Sequence, residues 1–146
     1  MDTNLKGVLT ELSVQQAFLE KGFGVSVPVN PSSRYDLIVD AFGGLFKVQV
    51  KTASPDKYNK GFTISTCSTH RIQDKWVHTP YLSNEVDLFA TSFNGKVYVI
   101  PQSDIGNKTE MFLRITPAIN NTNTINYANK YELDNIIGNM GLPYNG

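Results

Sequence analysis

The 146-residue chain carries 13 Lys+Arg and 13 Asp+Glu, so its formal net charge at pH 7 is zero. Balanced charge argues against a general nucleic-acid coat protein, but it permits an acidic site offset by a basic rim on another face. With 40% hydrophobic and 18% charged residues, the composition is globular and not disordered. It suits one domain, 1–146, large enough to bury a core without staples.

Residues Lys6 to Lys21 read as a helix. Val8, Leu12, Gln15 or Gln16, and Leu19 mark its apolar face, widened by Leu9, Ala17 and Phe18, and Gly22 stops it. Phe23 to Val29 alternates as a strand, and Asn30-Pro31-Ser32-Ser33 is a turn cluster. Tyr35 to Ala41 is the next strand, with Leu37, Val39 and Ala41 on one face and Asp36, Ile38 and Asp40 on the other. Phe42-Gly43-Gly44 turns the chain into a strand over Leu45 to Thr52, where Lys47, Gln49 and Lys51 share a face.

Ser54 to Lys60 is a polar loop, followed by a strand over Phe62 to Cys67. Ser68 to Ser83 has no clean periodicity. Val86 to Phe93 and Lys96 to Ile100 form a hairpin about Asn94-Gly95, which Pro101 ends. Met111 to Thr116 is a further strand, and Pro117 to Asn129 an asparagine-rich loop or short arm. A terminal helix runs from Lys130 to Met140. Lone Cys67 cannot form an intramolecular disulfide and reads as a small core residue. It implies a reducing compartment, hence the cytoplasm. No signal peptide is expected at the N-terminus, and no apolar run is long enough to span a bilayer.

The informative feature is the strand pair itself. Asp36, at the start of one strand, and Lys51, at the end of its antiparallel neighbour, fall at the same end of the sheet. Gln49 lies beside them. An acidic residue, a second oxygen ligand and a lysine on rigid strands make a site for a divalent metal and a phosphodiester. Alone, Asp36 reads as a solvent-facing carboxylate and Lys51 as a lysine guarding a sheet edge. Their conjunction favours the site. The Gln49 amide oxygen is a weaker ligand than a carboxylate and can serve instead to orient water. Two carboxylates can supply the missing charge. One is Glu11 on the first helix, otherwise an exposed glutamate paired with a lysine. The other is Asp40, otherwise a hairpin-end carboxylate. His70 and His78 lack the spacing of a zinc site. His70-Arg71 and Lys75-Trp76 read equally as DNA contacts or as a loop with one buried tryptophan. Lys57 and Lys60 are further candidate DNA contacts.

The ordered segments Gly7-x-x-x-Glu11, Gly22-Phe23-x-Val25-x-Val27-Pro28, Arg34-Tyr35-Asp36-Leu37-Ile38-Val39-Asp40 and Val48-Gln49-Val50-Lys51-Thr52 resemble the PD-(D/E)XK nuclease superfamily. Within it they resemble the group I intron-associated homing endonucleases, with Gln49 where most members carry an acid. Tyr81-x-x-x-x-Val86-Asp87-Leu88-Phe89-Ala90, Val97-Tyr98-Val99-Ile100-Pro101 and Leu113-Arg114-Ile115 with Ala128-x-x-Tyr131 extend the resemblance, from about Gly7 to about Leu133.

The resemblance implies a mixed α/β (α+β) fold with a restriction-endonuclease-like core of αβββαβ type. It also implies Mg²⁺-dependent hydrolysis of DNA and a homo-oligomer. It carries Glu11, Asp36, Gln49 and Lys51 into the active site. The resulting expectation is a metal-dependent endonuclease on double-stranded DNA, most simply of homing type, with Mg²⁺ or Mn²⁺ as cofactor. Asp36, Gln49, the Val50 carbonyl and Glu11 would surround the metal. A homodimer or homotetramer would cut both strands. The alternatives are a structure-selective junction resolvase and a catalytically inactive DNA-binding protein on the same fold.

Overall fold

The computed structural model describes residues 1–120 and 122–139. Met140, the last residue of the expected terminal helix, lies outside them. Helix α1 (Thr3–Glu20) opens the chain, one turn earlier than the apolar pattern indicates. Asp2 caps it, its side chain accepting the Asn4 N–H at 2.8 Å. At the other end Gly22 takes φ 84°. The Gly22 N–H donates to the Leu19 carbonyl at 2.9 Å and the Phe23 N–H to the Phe18 carbonyl at 3.2 Å. This is the pairing of a glycine-stopped helix, and the Phe18 and Phe23 rings supply its apolar contact, 6.4 Å apart.

The buried side of α1 is not the expected one. Thr10, Val14 and Phe18 are buried, with Ala17 packed against the core, whereas Leu5, Val8, Leu9, Leu12 and Leu19 are exposed. The Thr10 hydroxyl enters the interface because it donates to the Lys6 carbonyl at 2.8 Å, which leaves no unpaired polar atom.

A five-stranded sheet runs in the order β1-β2-β3-β8-β9. It comprises β1 (Gly24–Ser26), β2 (Leu37–Ala41), β3 (Gly44–Val50), β8 (Leu88–Phe93) and β9 (Lys96–Pro101). All neighbours are antiparallel except β3 and β8, which are parallel. The alternation holds as expected: Leu37, Val39, Ala41, Val48 and Val50 are buried and pack with Val14 and Phe18. β1 is shorter than expected and stops before Pro28, which has no N–H for a ladder. The Asn94-Gly95 turn forms with both residues at positive φ, 51° and 81°.

The crossover from β3 to β8 is built from strands. β4 (Ser54–Pro55), β5 (Gly61–Ser65), β6 (Cys67–Ile72) and β7 (Lys75–Pro80) occupy the place where an αβββαβ order sets a second helix. Helix α2 (Leu133–Asn139) comes instead after the last strand, β10 (Glu110–Arg114). β10, β5 and β4 make a second sheet, whose Phe62, Ile64, Met111 and Leu113 join the same core as the first. β6 and β7 pair only with each other. Thus Ser68 to Pro80, aperiodic in sequence, is mostly a β-ribbon, and Trp76 on it is 65% exposed, not buried.

Gly61 marks where the two longer strands of the second sheet come closest. A Cβ there would stand 2.1 Å from the Leu113 carbonyl oxygen, a backbone atom that cannot swing aside. Gly61→Ala should therefore act as overpacking against the main chain and destabilise the protein by about 3 kcal/mol. Thermal denaturation should show a fall in Tm of roughly 6–12 °C. An unchanged Tm would mean that the β5–β10 contact is looser than described.

Candidate active site

The β2–β3 ladder is regular from the turn as far as Leu37↔Val48 and then changes. The Asp36 N–H donates to the Val48 carbonyl at 2.8 Å, and the Val50 N–H donates to the Asp36 carboxylate at 2.9 Å. The side chain of Asp36 thus takes the place that a backbone carbonyl would hold in a longer β2. On the other edge of β3 the Lys51 N–H donates to the Ala90 carbonyl at 2.9 Å. Asp36 and Lys51 are therefore both fixed by main-chain bonds at the same sheet end, as the sequence indicates.

Glu11 reaches this point from α1. It lies one residue from buried Thr10 and three from buried Val14, on the flank of the packed face. Its carboxyl stands close enough to that of Asp36 for the two charges to interact. Burial raises the Glu11 carboxyl above its usual range, and the neighbouring Asp36 charge raises it further. Burial also raises Asp36, against the Val50 N–H and the Lys51 charge, which lower it.

Lys51 is half-buried. Burial lowers its ammonium below the usual range, and the nearby Arg34 charge acts the same way while Asp36 opposes. The ammonium donates to the Cys67 carbonyl at 3.1 Å and to the Tyr81 hydroxyl at 3.2 Å. Two of its three hydrogens are thereby used among the described residues, and the third can turn to a phosphate oxygen. Tyr81 is 6% exposed and lies between two cations, with Arg34 3.9 Å and Lys51 4.9 Å from its ring centroid.

Arg34 bonds Glu85 at 3.0 Å, the Ser68 hydroxyl at 2.7 Å and the Pro80 carbonyl at 3.1 Å. Sequence reasoning assigned no role to Arg34, Tyr81 or Glu85. Arg34 and Tyr81 occur in the motif segments, but their contacts span 30 to 51 residues and leave no local pattern.

The remaining candidates separate clearly. Gln49 is half-buried, and its amide has no hydrogen-bond partner among the described residues. Asp40 is exposed and pairs with Gly24 and Leu45 beside the hairpin turn, so Glu11 and not Asp40 joins Asp36. Lys57 and Lys60 are exposed in the β4–β5 turn, 5.5 and 5.7 Å from the Tyr58 ring. His70, Arg71 and Lys75 are exposed on the β6–β7 ribbon. The clefts of about 400 and 600 Å³ lie elsewhere and contain none of Glu11, Asp36, Gln49 or Lys51. The site is an open sheet end, suited to a substrate too large for a pocket.

Paired carboxyls and a lysine at the open end of a mixed sheet define a phosphodiester-cleaving fold. Residues 1–134 match the family model described as PD-(D/E)XK endonuclease, and the chain belongs to that family. It is similar to the bacterial homing endonuclease I-Ssp6803I, with a TM-score of 0.79 and 25% sequence identity over 97% of this chain and 96% of that one. It is also 26% identical to Protein 5.3 of Escherichia phage T7 over 114 residues, which are 75% of this chain and 89% of that protein.

Nucleases of this family generally use divalent ions, and the residues present fit one. Among the described residues no group of three His, Cys, Asp or Glu side chains is placed to hold a metal. Mg²⁺ does not need such a cage, because it keeps several waters and binds through one or two carboxylates plus substrate phosphate. Glu11 and Asp36, close together and both raised by burial, present two carboxyls that a cation would favour in their ionised form.

The raised carboxyls fix a sign. A carboxyl with a raised folded pKa contributes stability that is full below the ordinary range and lost as pH rises through the folded value. At neutral pH the metal-free protein is therefore strained by this pair. Glu11→Gln should raise its Tm in chelator at neutral pH, with the gain shrinking as pH falls towards about 4. Melts across that range check it, and an equal or lower Tm at neutral pH would sink it.

Proposed function

We propose that the protein is a Mg²⁺-dependent endonuclease for double-stranded DNA, with Mn²⁺ an accepted substitute. We assign it to the site-specific homing type of the group I intron-associated branch. The observation that carries the reading is Asp36, fixed by the Val50 N–H at the open end of the sheet, with the Glu11 carboxyl and the Lys51 ammonium beside it. Similarity to a bacterial homing endonuclease over nearly the whole chain supports the homing type.

In this reading Asp36 and Glu11 would hold the ion, with the Gln49 amide oxygen and the Val50 carbonyl as its further protein ligands. The bound ion supplies charge neutralisation at the phosphate and a more acidic water. The remaining hydrogen of the Lys51 ammonium is donated to the non-bridging phosphate oxygen as charge grows there. The water oxygen bonds to phosphorus and gives up a proton to solvent, the bond to the leaving ester oxygen breaks, and that oxygen takes a proton from solvent. Tyr81 holds the ammonium in place throughout.

One chain has one such site, and a duplex has two strands to cut. A homodimer or homotetramer provides the second site. The exposed stripe of Leu5, Val8, Leu9 and Leu12 on α1 is an apolar surface suited to a second copy.

Asp36→Ala and Lys51→Ala should each slow cleavage at least roughly 10²–10³-fold while the variants remain folded. The assay offers plasmid, a random duplex library and four-way junctions, with and without Mg²⁺. Selective cutting of one duplex sequence is expected. Junction-selective cutting would instead indicate a resolvase, and binding without Mg²⁺-dependent cutting an inactive binding protein. Gln49→Glu should retain cleavage, with an altered preference among divalent ions. Leu12→Glu, at a position 54% exposed, should lower the mass seen by light scattering without unfolding the chain. A wild-type monomer bound to cut DNA would remove the oligomer from the reading.

A further inference from the structure

The β6–β7 ribbon is a two-stranded sheet whose strands pair only with each other. Six residue pairs connect its strands, from Cys67↔Pro80 at the base to Ile72↔Lys75 at the tip. Gln73 and Asp74 close it with φ of 49° and 62°, the two left-handed residues of a type I′ turn. An isolated hairpin is marginally stable in water. This one is held at its base, where the Cys67 carbonyl accepts from Lys51 and the Ser68 hydroxyl and Pro80 carbonyl accept from Arg34. Beyond that base it stands in solvent.

One face carries buried Cys67 and half-buried Pro80 at the base and exposed Thr69, His78, Arg71 and Trp76 beyond it; the other carries half-buried Ser68 and Val77 with exposed His70, Ile72, Lys75 and Thr79. The Thr69 hydroxyl and His78 Nδ1 are 3.1 Å apart. The Arg71 guanidinium sits 5.8 Å from the Trp76 ring centroid and donates to Asp74 at 3.2 Å. The ring and the carboxylate beside it limit the directions the guanidinium takes, although both partners stand in solvent.

We propose that this ribbon is the DNA-reading arm of the enzyme, its Thr69–Arg71–Trp76–His78 face entering the major groove of the duplex. The proposal rests on the endonuclease reading above. The dimensions agree: six paired residues span about 20 Å, and a groove about 12 Å wide admits a two-stranded ribbon. The chemistry agrees too, because a guanidinium matches the two acceptors of a guanine edge. Lys75 and His70, on the opposite face, are placed for phosphates. Since the base of the ribbon is bonded to Lys51, seating the arm in the groove would also set the register of the site on the strand to be cut.

The test separates binding from cutting. The Asp36→Ala chain is used to select duplexes from a random library, with and without Arg71→Ala, Trp76→Ala and Lys75→Ala. Cleavage by the unmodified chain is followed in parallel with Mg²⁺. Arg71→Ala should erase the preference at one base position and weaken binding to the preferred duplex roughly ten- to a hundredfold, with little change for random sequence. Lys75→Ala should weaken all sequences alike and reduce the salt slope by about one. Thermal melts confirm that these exposed substitutions leave the fold intact.

An unchanged preference and affinity in Arg71→Ala, with the unmodified chain still cutting DNA, would overturn the arm and leave the nuclease standing. A uniform loss on Arg71→Ala would make it a phosphate contact and overturn base reading. Tighter binding of single strands than of duplex, lost in Trp76→Ala, would overturn the groove in favour of a stacking platform. If the unmodified chain neither binds nor cuts any DNA, the endonuclease reading fails and the arm with it.

Discussion

The bond from the Val50 N–H to the Asp36 carboxylate closes the sheet and aims its charge at once. β2 begins at Leu37, two residues past Tyr35, the position its register sets opposite Val50, and an unpaired buried main-chain N–H is unfavourable by about 1–3 kcal/mol. The carboxylate removes that penalty. Its position is then set by the ladder and not by a free rotamer, and Glu11 and Lys51 are arranged around a fixed point. A site built on strands in this way holds its geometry better than one carried on loops.

A second constraint follows from packing two cations near that point. Burial lowers the preference of Lys51 for charge, and the Arg34 charge acts the same way. Tyr81 touches both cations, with its ring 3.9 Å from the Arg34 guanidinium and its hydroxyl accepting from Lys51. Glu85 neutralises Arg34 on its far side. The arrangement leaves the lysine charged, positioned and only partly hydrogen-bonded, the state in which it can respond to a phosphate. It also joins three segments distant in sequence: the approach to β2, the end of β3 and the foot of the β6–β7 ribbon.

The parts legible in the sequence were those with local signals. Gly22 ended α1, Asn94-Gly95 made its turn, and the alternation about Leu37–Val39 and Val48–Val50 fixed which residues face the core and which reach the site. The face of α1 was misread for a physical reason. Exposed Leu5, Val8, Leu9, Leu12 and Leu19 form a stronger apolar stripe than buried Thr10, Val14 and Phe18, so periodicity pointed to the wrong side. The β6–β7 ribbon was hidden because Gln73-Asp74 adopts a turn that glycine usually announces. Tyr81 and Arg34 act through long-range contacts that no window of sequence records. The expected pairing of Asp36 with Lys51 was recovered because both are tied to the same ladder.

Gln49 is best understood through the charge count. Ionised Glu11 and Asp36 provide two negative charges, which match one divalent cation, and Lys51 adds a positive charge for the phosphate. A third carboxylate on β3 would join two that burial and mutual repulsion have already raised. Each added like charge would make full ionisation harder and the metal-free fold less stable. A neutral amide keeps an oxygen at that place without adding to the repulsion. In the proposed site the carboxylate that the strand lacks would come from the helix, where Glu11 lies beside Asp36.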